Sequence, residues 1–217
     1  MRVRVKFCGI TTIEDRDNAI TAGADAIGLV FFKDSPRFVT PEKAEIIAKD
    51  IPPFISAVGV FVNEDLGFIE ECVERCGLNV VQIHGDEDVK YCLKFKSLNL
   101  KGVKLIKGIR VKDRESLSVI EDCPADAILL DAYTKNMHGG TGNGFDRSLS
   151  LIAKEYGRNL IISGGLNPDN VYETIKAVKP YGVDVSSGIE SSPGRKNIEL
   201  MEQFIAEVRR AEMSISA

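Results

Sequence analysis

Apolar, β-branched runs recur along the chain with amphipathic, charged stretches between them, so a period of two alternates with a helical period from one end to the other. Eight runs read as strands: VRVKFC (3–8), AIGLVFF (26–32), ISAVGVFV (55–62), VVQIH (80–84), VKLIKGI (103–109), AILLDA (127–132), LIISG (160–164) and VDVSS (183–187). The segments between them open with helix-start signals. Thr12 stands three residues before Asp15, Thr40 precedes Pro41 and Glu42, and Asn167 precedes Pro168. Gly23, Gly77 and Gly157 mark helix ends. Strict alternation predicts parallel strands joined by right-handed crossovers, and eight such units close into a single (β/α)₈ TIM barrel spanning residues 1–217. An open doubly wound sheet is the alternative. Against it, CGIT and not G-x-G-x-x-G follows the first strand, and the glycine-rich turns fall after strands seven and eight.

Composition narrows the function classes. At 217 residues and 44% hydrophobic content the chain can bury one large core and divides poorly into two. With 32 acidic against 28 basic residues, a net charge of -4 and no Lys/Arg block, a nucleic-acid partner is not expected. No apolar run reaches membrane-spanning length and MRVRVKF alternates charge with apolarity, so neither a membrane partner nor a signal peptide is expected and the location read is cytoplasmic. Five cysteines, an odd number, fit reduced thiols. Cys72 and Cys76 lie one helical turn apart without a second ligand pair, so no metal is expected.

In such a barrel the carboxyl ends of the strands form the mouth where chemistry takes place. Alternation puts Arg4, Lys6 and Cys8 on one face of the first strand and Val3, Val5 and Phe7 on the other, which points Cys8 into the mouth if the second face meets helices. A small buried hydrophobe is the bland reading of Cys8; the ammonium of Lys6 on the same face, favouring thiolate, argues for chemistry. Asp131 ends the run AILL on the opposite side of the barrel, and serves equally as a turn residue or a rim acid. Gly164 and Gly165 in ISGGLNPDNV, with Ser187 and Gly188 in VSSGIE, put glycine turns at the two neighbouring strand ends where barrels often hold phosphate on backbone N–H groups. Arg37, in SPRF, could take a carboxylate two oxygens at a time or stand solvated. GGTGNGFD (139–146) reads as a lid or a plain long connection. Gln82, His84 and Asp184 are further rim candidates beside Lys6.

In order along nearly the whole chain, KFCGIT, DAIGLVFFKDSPR, VGVFVN, VVQIHGDE, ILLDA, GGTGNGFD, ISGGLNPDNV and GVDVSSGIESSPGRK resemble the phosphoribosylanthranilate isomerase family. Family members often carry Trp where Arg147 stands and Asp where Asn197 stands, so neither position is given a role. The resemblance implies a ribulose-phosphate-binding type of barrel, a small phosphosugar substrate, no cofactor and a monomer or homodimer. The implied reaction is the Amadori rearrangement of N-(5-phosphoribosyl)anthranilate to 1-(2-carboxyphenylamino)-1-deoxyribulose 5-phosphate in tryptophan biosynthesis. It also implies Cys8 as general base, Asp131 as general acid, Arg37 as the clamp on the anthranilate carboxylate, and the turns at Gly165 and at Ser187 and Gly188 as the phosphate site. Two other classes share part of the pattern. A synthase of the indole-glycerol-phosphate type uses a catalytic lysine and glutamates at strand ends, with an amino-terminal extension not seen ahead of MRVRVKF; a non-catalytic phosphosugar-binding barrel would keep the glycine turns but has no use for Cys8 opposite Asp131.

Overall fold

The structure is a computed structural model describing residues 1–132 and 147–216. Eight parallel strands close into a barrel in sequence order: β1 (Arg4–Cys8), β2 (Ala26–Val30), β3 (Ser56–Phe61), β4 (Val80–Ile83), β5 (Lys104–Val111), β6 (Ala127–Ala132), β7 (Leu160–Ser163) and β8 (Gly182–Val185). The helices are α1 (Ile13–Ala22), α2 (Pro41–Ala48), α3 (Leu66–Cys76), α4 (Val89–Ser97), α5 (Val119–Asp122), α6 (Arg147–Lys154), α7 (Val171–Val178) and α8 (Ile198–Ser216). A two-stranded antiparallel ribbon, β9 (Glu190–Ser192) with β10 (Arg195–Lys196), follows β8. GGTGNGFD lies outside the described residues.

The expected (β/α)₈ barrel is therefore the fold, and period-two alternation sorts its two faces. Val3, Val5 and Phe7 are fully buried in the core beneath the helices, where the Phe7 ring meets Phe204 of α8 edge-on at 6.0 Å. Ile106, Ala127, Leu129 and Ile161 form a separate apolar cluster, and Cys8, Val30 and Val60 another. The ladder closes through β1 and β8 with Lys6 opposite Asp184.

Local signals set most helix ends as the sequence predicts. The Thr12 hydroxyl accepts from Asp15 N at 3.0 Å, the Thr40 hydroxyl accepts from Lys43 N, and Gly23, Gly77 and Gly157 all sit in the left-handed region. Most strand ends shift by one or two residues, β5 running on to Val111 and β8 stopping at Val185, and two boundaries differ for a visible reason. The second strand stops at Val30; Phe31 N still donates to the Val60 carbonyl at 2.9 Å, and the Phe31 ring stacks on Phe61 at 4.9 Å. Asn167 does not start a helix: its side chain accepts from Asp169 N and Asn170 N in a local turn, and α7 begins only at Val171. Asn197 caps α8 by accepting from Leu200 N at 3.0 Å. Among the described residues, no helix is long and apolar enough to cross a membrane.

Because Phe204 is fully buried against β1, Phe204→Ala should lower unfolding free energy by about 3–5 kcal/mol. Urea denaturation followed by circular dichroism checks it, the expected result being a lower midpoint at an unchanged slope.

Candidate active site

At the carboxyl end of the strands a cavity of about 410 Å³ is lined by Cys8, Arg37, Gln82, His84, Asp131, Gly164, Gly165, Asp184 and Ser187, among others. Nine of the eleven sequence-read candidates thus share one cavity. Lys6 lies below it and Gly188 behind it. A cavity of about 440 Å³ opens at the opposite end of the barrel, between Arg2, Arg4, Phe54 and Tyr181, but it has neither Cys8, Asp131 nor a glycine loop.

Cys8 ends β1 with its residue only 8% exposed. Lys6, two residues earlier on the same face, is tied by its Nζ to Asp184 Oδ1 at 2.8 Å, both side chains being almost wholly buried. The expectation that Lys6 makes Cys8 a ready thiolate needs correction. Burial pushes the thiol up; Lys6 and Lys196 pull it down, but the carboxylate of Asp184 opposes them, and the net direction is upward. Lys6 itself is penalised most by burial, but the charges of Asp184 and Cys8 together with the hydrogen bonds to both more than offset it, so its ammonium stays charged. Ser163 Oγ donates to Asp184 Oδ2 at 3.2 Å, extending the link to β7.

Opposite Cys8, three side chains line up across three strands. Gln82 on β4 meets His84 Nδ1 at 2.7 Å through its Nε2, and His84 Nε2 lies 3.1 Å from Asp131 Oδ2 on β6. The imidazole bridges over β5 because Gly108 stands there: a Cβ at that position would come within 2.9 Å of the ring. Two proton arrangements satisfy the chain. With Gln82 donating, His84 carries its proton on Nε2 and Asp131 accepts as a carboxylate; with the Gln82 amide reversed, Nδ1 carries it and Nε2 accepts from a neutral Asp131. The Gln82 Oε1 atom is buried without a hydrogen-bond partner, so no bond on that side locks the amide. Asp131 stands at the rim, with 32% of its side chain exposed.

Arg37 is not a lone loop arginine. Its Nε and Nη2 bind Glu190 Oε1 and Oε2 at 2.7 and 2.6 Å, and Nη1 takes no part in that pairing. Gly9 makes room for it, with φ of +77° and a missing Cβ whose place the Arg37 stem occupies. Glu190 also accepts from Lys196 Nζ at 2.8 Å, and Lys196 donates to the Ser186 carbonyl at 3.1 Å. Sequence reading assigned nothing to Glu190 or Lys196; the available signal was a glutamate and a lysine inside an otherwise small-residue, glycine-rich turn.

At the mouth of β7 the left-handed Gly164 and Gly165 turn away from the strand, and nothing occupies the space a Cβ on Gly165 would fill. Gly188 has a different reason: a Cβ there would overlap the Leu166 carbonyl, so this glycine lets the β7 and β8 loops pack together. Gly28 on β2 does the same for Cys8, whose Sγ lies 2.9 Å from the position of a Cβ. Among the described residues, no three His, Cys, Asp or Glu side chains gather as a metal site.

A family profile described as N-(5′-phosphoribosyl)anthranilate (PRA) isomerase matches residues 5–207. The N-(5′-phosphoribosyl)anthranilate isomerase of Citrifermentans bemidjiense is 47% identical over 207 residues, covering 95% of this chain and 97% of its own. The crystal structure of phosphoribosyl anthranilate isomerase from Thermotoga maritima superposes with a TM-score of 0.86 at 39% identity, covering 96% of this chain and 99% of its own. A phosphoribosyl anthranilate isomerase crystallised with reduced 1-(o-carboxyphenylamino)-1-deoxyribulose 5-phosphate superposes with a TM-score of 0.84 at 38% identity, with the same coverage.

Since the Cys8 thiol is pushed upward, its alkylation by iodoacetamide should be slow at neutral pH and climb only above the ordinary thiol range. Peptide mapping by mass spectrometry against pH checks it; rapid labelling at pH 7 would contradict the direction of the shift.

Proposed function

The chain belongs to the N-(5′-phosphoribosyl)anthranilate isomerase family, and we propose that its Amadori rearrangement runs between Cys8 as general base and Asp131 as general acid. The protein is an isomerase of tryptophan biosynthesis that converts N-(5-phosphoribosyl)anthranilate to 1-(2-carboxyphenylamino)-1-deoxyribulose 5-phosphate. The observation that carries the assignment is the facing of a thiol on β1 and a carboxyl on β6 across one cavity, the thiol standing above the buried ammonium of Lys6 and the carboxyl joined to His84.

Asp131, loaded with a proton through the His84 arrangement in which Nε2 accepts, gives that proton to the ribose ring oxygen; the ring opens to an iminium and Asp131 is left as a carboxylate. The iminium makes the C2 hydrogen acidic. Cys8 removes it as thiolate, giving an enolamine, and returns the proton to C1 while the C2 hydroxyl gives its proton to Asp131. The ketone forms and both groups return to their starting states, so no cofactor enters the balance. The Nη1 edge of Arg37 takes the anthranilate carboxylate, and backbone N–H groups at Gly164 and Gly165 and at Ser187 and Gly188 take the phosphate. The chain acts on this phosphosugar in the cytoplasm, as a monomer or homodimer, folded as one domain.

Cys8→Ser and Asp131→Asn should each lower kcat by roughly 10² or more, while the affinity for a product analogue changes little. In wild type the limb of kcat/KM due to Cys8 should rise with pH, because a raised thiol pKa makes the base available only as pH climbs; Cys8→Ser should lack that limb. Near wild-type turnover in either variant removes that residue from its role.

Arg37→Ala should weaken binding of the carboxylate-bearing product analogue by about tenfold or more and leave a descarboxy analogue nearly unaffected. Isothermal titration of both ligands checks it, and equal losses for the two would exclude the clamp.

A further inference from the structure

We propose that Glu190 and Lys196 are positioning residues that join the carboxylate clamp and the phosphate loop into one gauge for a doubly anionic substrate. The proposal rests on the reading of Arg37 as that clamp, and it adds two residues that touch neither end of the substrate.

The ribbon of β9 and β10 supplies both. Glu190 opens β9 and Lys196 closes β10, with side chains 4% and 0% exposed. The ribbon is pinned from outside: Thr11 Oγ1 donates to the Gly194 carbonyl at 2.7 Å, and a Cβ on Gly194 would come within 2.9 Å of the Pro36 carbonyl. It thus rests on the β1–α1 loop and on the loop that carries Arg37. Glu190 grips the Nε and Nη2 donors of Arg37 side by side, which fixes the guanidinium plane and turns the unused Nη1 edge outward. Lys196 holds Glu190 from below and with the same ammonium reaches the Ser186 carbonyl, one residue before the turn at Ser187.

Charge supports the assignment. Two cations, Arg37 and Lys196, share the one carboxylate of Glu190 at hydrogen-bond distance, with Asp15 adding a negative charge on the Lys196 side, so the Arg37 end of the cluster can take a further carboxylate. Burial alone would push Glu190 up, but Arg37 and Lys196 hold it below the usual carboxylate range, so the anion is present at neutral pH. Glu190 thereby subtracts attraction from an anionic substrate. Pure electrostatics predicts that removing it tightens binding, whereas a role in orienting Arg37 predicts that removing it weakens binding. The two readings differ in sign.

The test measures inhibition constants of anthranilate and of inorganic phosphate, each alone, for wild type, Glu190→Gln, Glu190→Asp and Lys196→Met. Glu190→Gln should weaken anthranilate by about tenfold or more and phosphate by no more than about twofold. Glu190→Asp keeps the charge but withdraws the carboxylate by one methylene, and should show the same selective loss; it decides the matter if the glutamine variant fails to fold. Lys196→Met should weaken both ligands, because it releases both ends. Unchanged or tighter anthranilate binding in Glu190→Gln, equal losses of anthranilate and phosphate there, full affinity in Glu190→Asp, or loss at one end only in Lys196→Met would each overturn the proposal. Arg37→Ala separates the levels: if it fails to penalise the carboxylate selectively, the clamp itself is wrong; if it does while the Glu190 variants bind normally, only the gauge falls.

Discussion

The pair of Lys6 with Asp184 is the constraint on which the remainder of this barrel depends. A parallel sheet becomes a barrel only when its first strand pairs with its last, and here the register of that seam sets a lysine directly opposite an aspartate, both sealed from water. Such a pair gains little over an apolar equivalent, but losing one partner strands the other charge at a cost of about 3–5 kcal/mol. A slip of the seam by one residue would do the same, so the pair punishes the wrong register more than it rewards the right one. The seam also lies immediately below Cys8, so the interaction that fixes closure is the one that sets the electrostatic surroundings of the thiol.

Above the seam, space is allotted by absence. The thiol and the imidazole that meets the carboxyl each border a strand that carries glycine at the level where the group must fit: Gly28 beside Cys8, and Gly108 beneath His84. The barrel interior is otherwise filled by branched side chains such as Ile106, Leu129 and Ile161. Two missing Cβ atoms turn a packed interior into a mouth with room for chemistry while leaving the strands rigid.

What could be read from the chain follows from which interactions are local. The eight strands announce themselves because each buries one face, which writes a period of two into a few residues; Cys8 and Asp131 are legible because each ends such a run. The Asn167 signal misleads because an asparagine ahead of proline serves a short turn as well as a helix cap. The partnership of Arg37 with Glu190 leaves no periodic trace, since 153 residues separate the two and only the closed barrel brings them together. For the same reason the electrical effect of Lys6 on Cys8 is visible in sequence, while the burial that outweighs it and the opposing charge of Asp184, 178 residues beyond Lys6, are not.

The ribbon after β8 bears on how the molecule comes into being. Arg37 and the loop it serves emerge early in synthesis, yet the carboxylate that orients the guanidinium stands at position 190 and the lysine beneath it at 196. On ideal-chain scaling, closing a loop of this length costs roughly 4–5 kcal/mol, against about 2–3 for a step between neighbouring strands, so the seam and its ribbon are natural late events on the folding route. A nascent chain that has released its first six strands already holds the thiol and the carboxyl but lacks the parts that aim the arginine and shape the anion loop. Substrate recognition thus matures after the catalytic groups are in place, and a fragment stalled after the sixth strand would present reactive side chains without the means to select what they act upon.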